Sequence, residues 1–169
     1  YHYQKIFSIN YYYGSIFPQN GHLLSTLGFL IGGQIVAQTL VAWLMGLFCI
    51  LTIFSISNRL GYNSRSSFIA IIVWYSSQSI AFISQSAKTD LAWTFFDLLG
   101  IYAFINWWLF KKKSHNNIWI FYSGLFFGAA LGIKHVTLFT VFTISLIILF
   151  EIFKENKLQL RNLIKIYFI

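Results

Sequence analysis

From Gly21 to Ser57 the chain is apolar for longer than one membrane crossing requires. A spanning helix needs about 20 apolar residues at ~1.5 Å each. The run breaks naturally at Gly32-Gly33, followed by Gln34, because paired glycines weaken any helix. His22 to Ile31 then forms a short interfacial or re-entrant helix, and a first full span runs from about Ile35 to Ser57. Further apolar stretches follow at Ser67–Ile83, Asp90–Phe110 and Ile118–Phe153. Only 9% of the 169 residues are charged, against 57% hydrophobic and 21% aromatic. That leaves too little polar surface to coat a water-soluble globule, and it excludes a disordered chain or a nucleic-acid-binding arm. The fold class is therefore all-α, a polytopic transmembrane helix bundle.

Charge sets the topology. Twelve Lys and Arg face four Asp and Glu, a net +8. In a membrane protein this excess belongs to cytoplasmic loops. Ile118–Phe153 is too long for one helix and carries Lys134-His135 near its centre, where a lone lysine costs ~3 kcal/mol or more. Lys111 to Lys113 precede this stretch, and Lys154, Lys157 and Arg161 come after it. Both flanks read as cytoplasmic, so an even number of crossings joins them: two short helices with Lys134-His135 at the turn. Between Arg59 and Arg65 on one side and Lys111 to Lys113 on the next, the same parity places Ser84 to Asp90 outside. About five spans result, with an outer amino-terminal segment, and Lys5, Lys88 and Lys134 are the basic residues left outside. Residues 1–33 read as an outer loop with the interfacial helix and 34–169 as transmembrane helices, all one domain. The abrupt start at Tyr1 and the apolar end at Ile169 are expected of an internal piece, truncated at both ends.

This topology gathers polar residues on one face. His2, Gln19, Asn20 and His22 lie in the amino-terminal segment, Gln85, Lys88 and Asp90 in the second outer loop, and Lys134 and His135 in the third. Such a face suits an anionic, lipid-linked substrate, with lysines holding phosphate as point charges. Asp90 can orient a lysine, bind a metal or contact a sugar hydroxyl; the competing reading of these charges is that they anchor span ends. Asp97 lies seven residues on, roughly the same face and about 10 Å deeper, either functional or a packed, hydrogen-bonded carboxyl. Gly124, Gly128 and Gly132 form a ridge that admits close helix packing, and Trp107, Trp108 and Trp119 flank the basic loop as an interfacial belt. Cys49 lies in an apolar run, so no disulfide framework or metal cluster is available.

Several segments resemble bacterial membrane glycosyltransferases of the GT-C superfamily. The similar branch is that of dolichyl-phosphate-mannose–protein mannosyltransferases and lipid A aminoarabinose transferases. Phe17-Pro-Gln-Asn20, Leu23-Leu24, Leu27-Gly28 and Gly32-Gly33 resemble the end of the family's first outer loop. Tyr1-His2-Tyr3 is similar to its tyrosine-histidine pair, and Thr89-Asp90-Leu91 with Phe95-Phe96 is similar to the aspartate opening a later span. Gly124 to Lys134 resembles its glycine-rich helix ending in lysine.

The resemblance implies transfer of a sugar from a polyprenyl-phosphate carrier to a lipid, glycan or protein acceptor on the non-cytoplasmic face, in a bacterial inner (plasma) membrane. The binding residues it implies are Lys134, Asp90, His2, Lys88 and His135, with Lys134 on the carrier phosphate and Asp90 shaping the site. The family's catalytic carboxylate falls before Tyr1, so no catalytic residue is assigned here and the piece alone is expected to be inactive. His22 stands where many relatives carry a carboxylate. No cofactor is fixed, a divalent metal ion being the candidate, and no metal ligand is assigned; nucleic acid is not a partner, and membrane lipid is. The chemistry needs a base for the acceptor and positive charge for a departing phosphate. A transporter or channel subunit using Asp97, or a non-catalytic assembly subunit, are the alternatives.

Overall fold

The computed structural model describes residues 20–84, 88–110 and 117–167. Every regular element among them is helical: α1 (Asn20–Gln38), a π-helical turn (Thr39–Leu44), α2 (Met45–Arg59), α3 (Ser64–Tyr75), α4 (Gln78–Ser84), α5 (Asp90–Leu109), α6 (Asn117–Leu131) and α7 (Thr137–Tyr167). The all-α membrane bundle expected from the sequence is what forms. The chain divides into two compact units, one ending at His135 and the other beginning at Val136.

α1 is broken where the glycine pair predicts, with Gly32 at φ −156°, ψ 22° and Gly33 at φ 77°, ψ −163°. The second of these needs glycine, since a side chain at positive φ meets the backbone. The chain then winds through the wide π-helical turn into α2. α2 ends in a Schellman motif: Gly61 sits at φ 88°, its N–H donates to Asn58 O at 3.1 Å, and Tyr62 N–H donates to Ser57 O at 3.1 Å. Asn63 caps α3, accepting from Ser66 N–H at 2.9 Å. Ser67 is buried against the end of α2, where its hydroxyl lies 2.9 Å from Ser57 Oγ and donates within 3.1 Å of Asn58 Oδ1.

The first unit is organised around α5. α2 packs along it through Gly46 against Leu91, a Cys49 Sγ contact to Leu91 O at 3.6 Å, and the Phe48–Phe95 ring pair at 5.3 Å. At the far end, the Arg59 guanidinium stands 4.2 Å from the Phe110 ring centroid. α2 and α5 therefore run the same way, and their basic-loop ends coincide, as the charge parity requires. α6 returns antiparallel on another side of α5. Ser123 Oγ donates to Gly100 O at 2.9 Å, and Trp119 meets Tyr102 edge-on at 6.2 Å.

Two expectations need correction. Ser67–Ile83 is not one straight span: α3 and α4 bend by 75° at Ser76-Ser77. Serine hydroxyls compete for the carbonyls of the preceding turn, as Ser76 Oγ does by donating to Val73 O at 3.0 Å, and paired small residues are a common kink site. Nor do all three residues of the expected glycine ridge pack: Gly124 and Gly128 are exposed with no described atom within 4 Å of where their Cβ would stand, whereas a Cβ at Gly132 would meet the Asn20 side chain. The close α5–α6 approach uses Gly100 instead, under the Phe127 ring.

Among the described residues, two helices are by themselves long and apolar enough to cross a membrane, Val41–Arg59 and Thr137–Lys154, or three if the bent α3–α4 pair is one span. α5 has the length, 20 residues, but carries Asp90, Asp97 and Asn106, while the apolar part of α6, Ile118–Leu131, is short. The expected five segments are thus helical without all being autonomous spans. The chain leaves its helix after Leu131 and re-enters one at Thr137, which puts Lys134-His135 in the turn, as expected.

Candidate functional site at the loop end of α5 and α6

Three chain segments meet at the end of the first unit opposite Arg59 and Phe110: the start of α1, the start of α5 and the turn after α6. Beneath them Val41, Ala92 and Ile133 form a buried cluster flanked by Leu24, Met45, Trp93 and Phe96. With no water inside a bilayer to drive association, this tight packing and the interhelical hydrogen bonds hold the segments together.

On that base stands an ion pair between Lys134 Nζ and Asp90 Oδ1. Asp90 occupies the first turn of α5, where the helix dipole favours a carboxylate. Lys134 is fixed by its backbone, N–H donating to Ala130 O at 2.9 Å as the end of α6 tightens. Trp93, one turn after Asp90, presents its ring to the same ammonium at 5.9 Å. The two charged side chains are 35% and 29% exposed, so an external anion can reach them. At an effective dielectric of about 20, opposite charges ~4 Å apart attract by ~4 kcal/mol, most of it offset by lost hydration and side-chain entropy; a half-open pair nets about 1 kcal/mol.

Of the residues named from the sequence, Lys134 and Asp90 are brought together. His135 comes next to Lys134 in the turn and is exposed. Lys88 is exposed and directed elsewhere, its ammonium 5.2 Å from the Phe82 ring. His22 is exposed on the first turn of α1. Asp97 lies two turns further along α5, partly buried. His2, Gln19 and Gln85 fall outside the described residues.

Sequence reasoning missed Trp93, although its spacing of three from Asp90 on a helix places the two on neighbouring positions of one face. It also missed Asn20 and Gly21 as contacts of the pair's supports. Asn20 N–H donates to Gly132 O at 3.0 Å, a bond across more than a hundred residues of chain that no local pattern signals. The described residues do not suit a metal ion. No group of three or more His, Cys, Asp and Glu converges among them, and Asp90 is engaged by Lys134.

Residues 17–169 match the family model for dolichyl-phosphate-mannose-protein mannosyltransferase. The chain belongs to this family. It is accordingly a membrane glycosyltransferase of the mannosyltransferase type, and Asp90 and Lys134 both fall inside the matched region. No curated protein and no solved structure matches the chain.

Proposed function

We propose that this transferase moves a sugar from a polyprenyl-phosphate carrier to an acceptor on the non-cytoplasmic side of a bacterial plasma membrane, with Lys134 receiving the carrier phosphate. The Lys134–Asp90 pair, seated at the helix ends opposite the basic loops, carries this reading.

The carrier phosphate bears one negative charge while it is esterified to the sugar. When the glycosidic bond breaks and the electron pair leaves with the phosphate, a second charge develops there. A fixed ammonium is worth more to that leaving group than to the bound donor, and only such a difference accelerates the step. Asp90 serves by holding the ammonium on the outer face rather than letting the flexible lysine stem wander, and Trp93 limits its swing from the other side. Neither Lys134 nor Asp90 is the acceptor's base; the resemblance assigns that task to a carboxylate in the first outer loop. His135 and Lys88 are secondary candidates for donor contact. Polyprenyl-phosphate sugar is the donor class, membrane lipid surrounds the helices, and the family's description favours a protein acceptor over a lipid or glycan.

The test is transfer from a polyprenyl-phosphate-linked sugar by membranes holding the full-length gene product. Lys134→Ala should reduce transfer about ten- to a hundredfold, the worth of one charge-assisted contact of ~1.5–3 kcal/mol. Lys134→Arg should recover part of it, since the guanidinium keeps the charge and changes the geometry. A Lys134→Ala rate near wild type per folded molecule removes the residue from the reaction.

A further inference from the structure

Gly21 is placed between the residues that immediately precede the two members of the ion pair. A Cβ added there would stand 2.7 Å from both Thr89 Cβ and Thr89 Cγ2, and 3.0 Å from Ile133 Cγ2. Thr89 leads directly into Asp90, and Ile133 into Lys134. The first turn of α1 is thus wedged between the roots of Asp90 and Lys134, and it is fastened on the α6 side by the Asn20 N–H bond to Gly132 O.

Neither neighbour can yield cheaply. Thr89 Cβ is bonded to the backbone at the cap of α5, so moving it moves the helix start. Ile133 is buried in the cluster with Val41 and Ala92 and has no open side to turn towards. A methyl group at Gly21 therefore forces the starts of α5 and of the α6 turn apart, and the displacement passes through one peptide unit to each charged residue.

We propose that Gly21 is a positioning residue: its missing side chain sets the separation of Asp90 and Lys134, and through it the first turn of α1 controls how firmly the ammonium is held. The consequence for transfer rests on the reading of Lys134 as the phosphate ligand; the geometry does not.

The test reads the pair without turnover. Acetylation of Lys134 by an amine-reactive reagent is tracked by mass spectrometry on the folded protein in detergent, with Asp90→Asn marking the rate of an unpaired ammonium. Gly21→Ala should raise the Lys134 rate severalfold, towards that of Asp90→Asn. Adding Thr89→Gly deletes both atoms at 2.7 Å and leaves only the looser 3.0 Å contact with Ile133 Cγ2, so the rate should fall most of the way back to wild type. A Gly21→Ala rate equal to wild type overturns the proposal, and so does a raised rate that Thr89→Gly leaves unchanged. Where Gly21→Ala alone does not fold, the double variant decides: folded with Lys134 reactivity closer to wild type than to Asp90→Asn supports the wedge, and any other result overturns it. Transfer measured in parallel separates the two ideas. If Lys134→Ala keeps its activity the phosphate reading fails, while acetylation still decides the role of Gly21.

Discussion

Replacing Gly100 with alanine should destabilise the protein, although alanine is ordinarily the better helix former. Its Cβ would stand 2.6 Å from Phe127 Cδ1 and Cε1 and 2.8 Å from Cζ, where carbon pairs in proteins sit near 3.5–4.0 Å. The Phe127 ring is 6% exposed and has nowhere to swing, so α5 and α6 must part by several tenths of an ångström or more. Overpacking of this kind costs about 1–3 kcal/mol. Parting also stretches the buried Ser123 Oγ to Gly100 O bond from 2.9 Å, at a net cost of ~0.5–1.5 kcal/mol. Against these stands a helix-propensity gain of about 1 kcal/mol. The balance is a loss of about 0.5–3.5 kcal/mol, read as a lower melting temperature in detergent. Combining Gly100→Ala with Phe127→Leu should recover part of the loss by trimming the ring. Gly128→Ala is the control: it faces open space, so it should be neutral or slightly stabilising. A Gly100→Ala protein as stable as the Gly128→Ala one would refute the close approach of α5 and α6.

The same contacts set other outcomes. In a Cys49→Ser background, single cysteines at Tyr62 and His135, both exposed, should label from opposite sides of the membrane with an impermeant maleimide; labelling from one side would undo the placement of the Asp90–Lys134 end outside. Asp90→Asn should lower stability by no more than ~1 kcal/mol, because the pair is about a third exposed, while transfer falls much further; equal losses in both would make the pair structural only. Asn63→Ala should cost about 0.5–2 kcal/mol through loss of the cap on Ser66 N–H, seen as a lower melting temperature with transfer per folded molecule unchanged. Cys49, fully buried, should resist maleimide until the protein is unfolded; prompt labelling would contradict the packing of α2 on α5.

Solvation and local backbone chemistry are the features that the sequence determined by itself. Scarcity of charge dictated a membrane-embedded helical chain, basic loops ordered its segments, and Gly32-Gly33 marked the break in α1, because each of these is a one-body or near-neighbour effect. The turn at Lys134-His135 was legible for the same reason, since a lone lysine inside hydrocarbon is too costly for a continuous helix. Asp90 and Lys134 could each be singled out, but not their pairing, as forty-four positions of chain separate them. Tertiary packing decided that. It also chose Gly100 over Gly124 and Gly128 as the close contact, since a small residue permits an approach and cannot say from which side a partner comes. The bend at Ser76-Ser77 and the seating of Gly21 between Thr89 and Ile133 were likewise unreadable along the chain, because both depend on which surfaces face each other after the helices have met.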